Sequence, residues 1–391
     1  MPTQVVRQRA WRYAASVALV GLIGFAWLPA PSGAVSRSSA LPTAYVTNSQ
    51  LNTVSVFVGS TFAGTVQNVG SGPTGIAIDG PSSSAYVADY GFLNQPRRTV
   101  TPIDLTTGTA GTPIRVGTGP LAIAITPGGK FALVTLQGTA SHPGHQVVEV
   151  NLATRQVSAP VPVGLNPESL AITPDGTKAY VGALSSAEVT PVDLTTWPPT
   201  ALLPIPLSGT APRAIAVSPD GSMAYVLDAE NATIIPIELA TGAVGPPVNL
   251  VCHMQGDPGC TPDAIVISPD GRTAYVAAAG SGDAIILNLP SLTVAGVVQT
   301  GGYPDALGLG GHWLYVANGA SNTVTAFSGL RSPWEIGGVT YPFGIAVVPG
   351  RRPGSALGNT TFGTLPAAGN RGAAAAAVPA HPKPFYGLPP A

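Results

Sequence analysis

The chain has 391 residues, only 9% of them charged, and 17 Lys and Arg stand against 18 Asp and Glu for a formal net charge of −1. That balance excludes a strongly basic nucleic-acid binder, whose affinity comes from neutralising phosphates. The 48 Gly and 41 Pro exclude a helical bundle, because both residues break helix interiors.

At the N-terminus, Arg7, Arg9 and Arg12 precede an apolar run from Tyr13 to Leu28, and no acidic residue occurs before Asp79. Small residues Ser32 and Ala34 follow Pro29 and Pro31. A basic start, an apolar centre and a small-residue site read as a secretory signal peptide over residues 1–34. The alternative is an uncleaved anchor, the one route to a membrane, but the run is short for a span of about 20 residues. Export to the cell envelope or beyond makes the two cysteines legible. Cys252 and Cys260 share one irregular stretch, and in an oxidising compartment they are expected to form a small-loop disulfide. A metal pair with His253 is the weaker alternative, because such sites need more ligands.

Residues 35–42 read as a short linker, and from residue 43 an internal repeat dominates. A Pro-x-[AGS]-[IL]-[AVG] element recurs at Pro73, Pro120, Pro167, Pro212, Pro262, Pro304 and Pro342. Its mean spacing of about 45 residues is that of a four-stranded propeller blade. Ala-Tyr-Val follows at 44–46, 85–87, 179–181, 224–226 and 274–276, with degenerate copies at 132–134 and 314–316. Each period reads as four strands. The inner one starts at the repeat proline, and Ser/Thr-Pro-Asp-Gly (173–176, 218–221, 268–271) turns it into the Ala-Tyr-Val strand. An alternating third strand follows, such as 52–57, and then a proline-tolerant edge, such as 160–163. The first repeat lacks an inner strand, whereas 341–348 supplies one with nothing after it. Joined, they complete blade one. The expected fold is therefore all-β: a seven-bladed β-propeller of four-stranded blades over 43–348, its ring closed by the C-terminal inner strand. Residues 349–391, rich in Ala, Pro and Gly, read as a disordered tail.

Tyr-Val-Thr-Asn at 45–48, Asn-Thr-Val-Ser-Val-Phe at 52–57 and the Pro-Asp-Gly-x-x-Ala-Tyr-Val units resemble the YVTN-type (YncE-like) β-propeller repeat family. The resemblance covers roughly residues 43–348 and carries the fold. It implies a secreted or cell-surface protein and, more distantly, a likeness to lactonase-type propellers. Blade three departs from the pattern with Pro-Gly-Gly, and blade seven lacks the turn.

Chemistry is expected where the inner strands start, around one mouth of the channel. The residue after each repeat proline is, in ring order, Thr74, Leu121, Glu168, Arg213, Asp263, Asp305 and Phe343. Glu168, Arg213, Asp263 and Asp305 are thus the candidate ligand-binding residues. Glu168, Asp263 and Asp305 supply the oxygen ligands that Ca²⁺ or Mg²⁺ takes, and Arg213 suits a carboxylate. Residues 91–98 and 137–146 read as long loops at the same mouth. No haem-attachment motif and no phosphate-binding Gly-rich loop is present, so neither haem nor nucleotide is expected. The leading expectation is a monomeric, non-enzymatic scaffold that binds an envelope protein, a small molecule or a glycan. The alternative is a metal-dependent hydrolase or lyase of lactonase-like propeller type.

Overall fold

The computed structural model describes residues 41–350, except 80–82, 93–94, 140, 208, 253–259 and 330–332 and the side chains of 92, 95 and 96. The expected signal segment, most of the linker and the tail from residue 351 lie outside the described residues.

Seven antiparallel sheets form a ring. Blade two runs Pro73–Asp79, Ser84–Phe92, Gln95–Asp104 and an outer edge; blades three to seven start at Pro120, Pro167, Pro212, Pro262 and Pro304. Blade one is composite, as expected. Thr43–Asn48 pairs on one side with Thr53–Val58 and on the other with Pro342–Val348, where Thr43 faces Val348 and Tyr45 faces Ala346. Each inner strand packs against the next all the way round.

The Ala-Tyr-Val triplet explains how the blades stack. Successive strand side chains point to opposite faces, so Ala and Val face one neighbouring blade and Tyr the other. Ala224 and Val226 pack with Tyr180 and Val189 of blade four, whereas Tyr225 packs with Ile265 and Ala274 of blade six. The same division holds for Ala179 and Val181 against Tyr180. Seven apolar clusters result, one per blade interface. Burying both faces of every sheet is what holds the ring together.

The Pro-Asp-Gly turns form as their composition dictates. Gly176, Gly221 and Gly271 take φ near +70°, and each donates its N–H to the Ser or Thr three residues earlier. Asp175, Asp220 and Asp270 accept from those same Ser and Thr hydroxyls. Blade three closes its variant turn equally well, with Gly129 at φ +66° donating to Thr126.

Two expectations need correction. The edge strand is not continuous in blades two, four and five, where it splits into pairs such as Thr109–Ala110 and Ile114–Arg115. Prolines without an N–H, such as Pro113, interrupt the ladder there. Nor are 91–98 and 137–146 long loops. They extend strands two and three into hairpins, Ser84–Phe92 with Gln95–Asp104 and Phe131–Thr139 with His142–Asn151. Gly-rich blade connectors clip them down: Gly91 donates to Ser71, and Gln137 and Gly138 donate to Gly119 and Thr118. At Gly119, φ is +66° and an added Cβ would lie 2.1 Å from the Gly138 carbonyl oxygen. Gly119→Ala is therefore expected to cost about 2–4 kcal/mol, read as a lowered denaturant midpoint.

Candidate functional site at the channel mouth

The site is built from β-bulges. In blade four, Pro167 pairs with Ala183 and Ser169 with Gly182, which leaves Glu168 as an extra residue. The same skip isolates Arg213, Asp263 and Asp305. A bulge releases one residue from the ladder and re-aims its side chain. Repeated round the ring, it turns the residue after each proline toward its neighbours.

Blades four to six bring three of these charges into contact. Arg213 lies between two carboxylates, its Nη1 3.3 Å from Glu168 Oε2 and its Nε 3.0 Å from Asp263 Oδ1. The Glu168 and Asp263 side chains are each 3% exposed and Arg213 is 13% exposed. Gln137 Nε2 donates to the other oxygen, Glu168 Oε1, at 2.9 Å. Apart from this contact with Arg213, neither Asp263 oxygen has a hydrogen-bond partner among the described residues, so acceptor capacity remains. Asp305 joins through charge rather than contact: its carboxyl feels the Asp263 and Arg213 charges, and the Gly319 backbone lies against it. An added Cβ on Gly319 would lie 2.0 Å from Asp305 Oδ2, so Gly319 makes room for the carboxyl.

Desolvation dominates the electrostatics. It pushes Glu168 up to about 7, against the opposing pull of Arg213. Asp263 is raised by burial with Arg213 opposing. Asp305 is held well above the usual carboxylate range by burial and by the Asp263 charge. A carboxyl that titrates near neutrality in a concave mouth is matched to proton transfer.

The other mouth positions do not share this character. Thr74 is buried and donates to the Leu121 carbonyl at 3.0 Å, tying blade two to blade three. Leu121 is buried, and Phe343 is half-buried. The polar strand ends near the mouth are structural: Asn48 and Asn318 donate to Thr and Ser hydroxyls on their third strands. The Asp228 carboxylate caps the Ala211 and Glu230 amides.

Sequence reasoning missed Gln137, Tyr90, Tyr303 and Tyr341. Gln137 and Tyr90 are the second-strand residues that stand opposite bulges of the third strands. Tyr90 is raised by burial and then by the Glu168 charge. Tyr303 and Tyr341 precede repeat prolines with φ of +57° and +47°. Blades two and three use glycine at that position, Gly72 and Gly119. A tyrosine there is strained, and such strain gathers at functional sites. Burial, then the Asp263 charge, pushes Tyr303 up to about 12, and Tyr341 is raised by burial and by Asp305. Tyrosine in place of glycine at a repeated turn position was the readable signal.

For a divalent cation the donor set fits poorly. The Arg213 guanidinium stands where an ion bridging Glu168 and Asp263 would have to sit. Among the described residues no group of three or more His, Cys, Asp and Glu is disposed to hold a metal. Elsewhere, Cys252 and Cys260 are joined in a disulfide with Cα atoms 5.8 Å apart, and His253 lies outside the described residues.

The family model described as "Lactonase, 7-bladed beta-propeller" matches residues 172–331. That stretch takes in Arg213, Asp263 and Asp305 and begins just after Glu168. No curated protein matches the chain. Among solved structures, the chain is similar to the Kuenenia stuttgartiensis hydrazine synthase, with TM-score 0.64 and 20% identity over 77% of this chain and 99% of that one. It is similar to the periplasmic gluconolactonase of Pseudomonas aeruginosa, with TM-score 0.65 and 15% identity over 80% of this chain and 100% of that one. A functionally unknown protein from Desulfotomaculum acetoxidans gives TM-score 0.66 and 18% identity over 79% and 99%. At these identities the likeness is one of fold.

Proposed function

We propose that this chain is an extracytoplasmic lactone hydrolase of the seven-bladed lactonase type, with its site at the mouth formed by blades four to seven. The observation that carries this reading is the group of shielded acids round Arg213, one of them tuned to about 7. The partial match to the lactonase propeller family supports the reaction class. The disulfide is compatible with export, as is the YVTN-type repeat. This reading departs from the leading expectation of a non-enzymatic scaffold.

In the mechanism, Glu168 in its ionised form takes a proton from water as the water oxygen attacks the lactone carbonyl carbon. The Arg213 guanidinium places positive charge beside the oxyanion that develops. The ring C–O bond then breaks, and Asp305, kept protonated by burial, gives its proton to the departing alkoxide. One water is consumed and one hydroxy acid is released; Glu168 returns its proton to Asp305 through solvent. The open acceptors on Asp263 suit the hydroxyl donors of a sugar lactone. No step requires a metal.

The test is a pH-stat assay of the purified chain with five- and six-membered sugar lactones, read above spontaneous hydrolysis. The rate is expected to rise as Glu168 ionises through about pH 7. Glu168→Gln should lower kcat by about 10²–10⁴-fold, the range for loss of a general base. Chelation should leave the rate unchanged, and a chelator-sensitive rate restored by Ca²⁺ or Mg²⁺ would instead assign an ion to the mouth. No hydrolysis above background in the parent chain would return the mouth to a ligand-binding role.

A further inference from the structure

A second concentration of charge lies on blade two. Arg97, Arg98 and Arg115, with Ser71 and Thr99, line an open cleft of about 470 Å³. The described residues hold six arginines, Arg97, Arg98, Arg115, Arg155, Arg213 and Arg272, and half of them meet here. All three are exposed, and among the described residues no carboxylate lies within ion-pair distance of any of them. Three like charges in one cleft repel one another unless a counter-charge is supplied.

The chain builds this cluster on a fixed frame. Thr99 pairs directly with Arg115 across the strands, and Arg97 and Arg98 form a bulge opposite the single Tyr90, both of them lining the cleft. The Arg98 carbonyl accepts from Val116 and that of Arg97 accepts from Gly119, so the connector to blade three pins both backbones. Thr99 Oγ1 donates to Asp89 Oδ2 at 2.7 Å, and the Asp89 carboxyl lies against Gly70. The Asp89 carboxyl feels the Arg97 charge, and burial pushes it up to about 6. The residues that line the cleft carry three guanidinium groups and no carboxylate, so it keeps an excess of positive charge.

We propose that this cleft binds the tetrahedral oxyanion of a small phosphate or sulfate ester. Guanidinium forks match such oxygens two at a time, and the volume admits a small molecule rather than a folded partner. The proposal is independent of the lactone reading, because it uses none of the channel-mouth residues.

Isothermal titration of the full chain at low salt tests it, with inorganic phosphate, inorganic sulfate and glycerol 3-phosphate as probes and glycerol as the blank. Saturable one-to-one binding of the anions is expected. Arg97→Gln with Arg115→Gln should weaken it at least about tenfold, and Arg98→Gln alone should weaken it less. Arg272→Gln, exposed on blade six, should leave it unchanged. Thermal melts of each variant separate lost binding from lost folding, and Arg98→Gln carries the test if the double variant unfolds. Equal weakening by Arg272→Gln would overturn the site in favour of diffuse charge attraction. So would the absence of saturation up to about 50 mM. Binding of heparin without saturable binding of the small esters would overturn the small-ligand assignment in favour of a polymer.

Discussion

Replacing Arg213 with Met is expected to destabilise the propeller by about 3–5 kcal/mol at pH 8, the cost of leaving shielded charges without their partner. Arg213 touches both Glu168 and Asp263 and opposes the burial that raises each of them. Without it, the two carboxyls must stay protonated or lie buried and unpaired. The pH dependence follows from the direction of the shifts. Glu168 titrates near 4.5 when unfolded and at about 7 when folded. The folded chain thus holds a proton that the unfolded chain has released, and stability falls as pH rises through that window. Asp89, raised to about 6, and Glu149, raised to about 7, act in the same sense. In the parent chain, Arg213 limits this loss at the mouth. The variant should therefore lie close to the parent at pH 5 and fall steeply away from it toward pH 8. Thermal midpoints across that range check the prediction. A deficit of constant size would mean that Arg213 acts through packing rather than charge.

Ending the chain after Thr340 is expected to abolish cooperative unfolding and leave little soluble protein. The lost strand, Pro342–Val348, is the inner strand of blade one and bonds along Thr43–Asn48. Ile345 and Val347 pack in the cluster between blades one and seven, and Ala346 and Val348 pack in the cluster between blades one and two. Two of the seven interfaces open together, and blade one is left with an unpaired edge facing the channel. Unpaired edges recruit other chains. The loss is comparable with a domain's whole stability of about 5–15 kcal/mol, so no partly folded ring is expected. A chain ending at Gly350 keeps the strand and should unfold cooperatively. Size-exclusion profiles and denaturant melts of the two chains distinguish the outcomes. A soluble, cooperative chain ending at Thr340 would mean that the ring closes without the inner strand of blade one.

Much of the fold was legible because its signals are local and repeated. The Ser/Thr-Pro-Asp-Gly turns need a positive φ at one glycine, and the composition states this at each copy. Ala-Tyr-Val alternates with the strand period, and ring closure followed from a missing first strand and a spare last one. The hairpins at 91–98 and 137–146 were misread as loops, because their pairing depends on Gly72 and Gly119 in the neighbouring connectors. Those glycines are close in space only once the blades have stacked.

The candidate site divides along the same line. Repetition alone located Glu168, Arg213, Asp263 and Asp305, one residue past each proline, and hinted that neighbouring blades would gather them. It contained no information on burial or on which charge meets which. Those were decided by the bulges, each of which frees one residue from its ladder, and by the ring, which sets three inner strands close enough for one guanidinium to reach two carboxylates. Gln137 and Tyr90 came only with that geometry, since they approach Glu168 from other blades. Repeat spacing is a property of the chain read along its length, whereas desolvation depends on what packs from every side. The fold could therefore be read from residue order, and the acidity near pH 7 at Glu168 arose only when the ring closed around it.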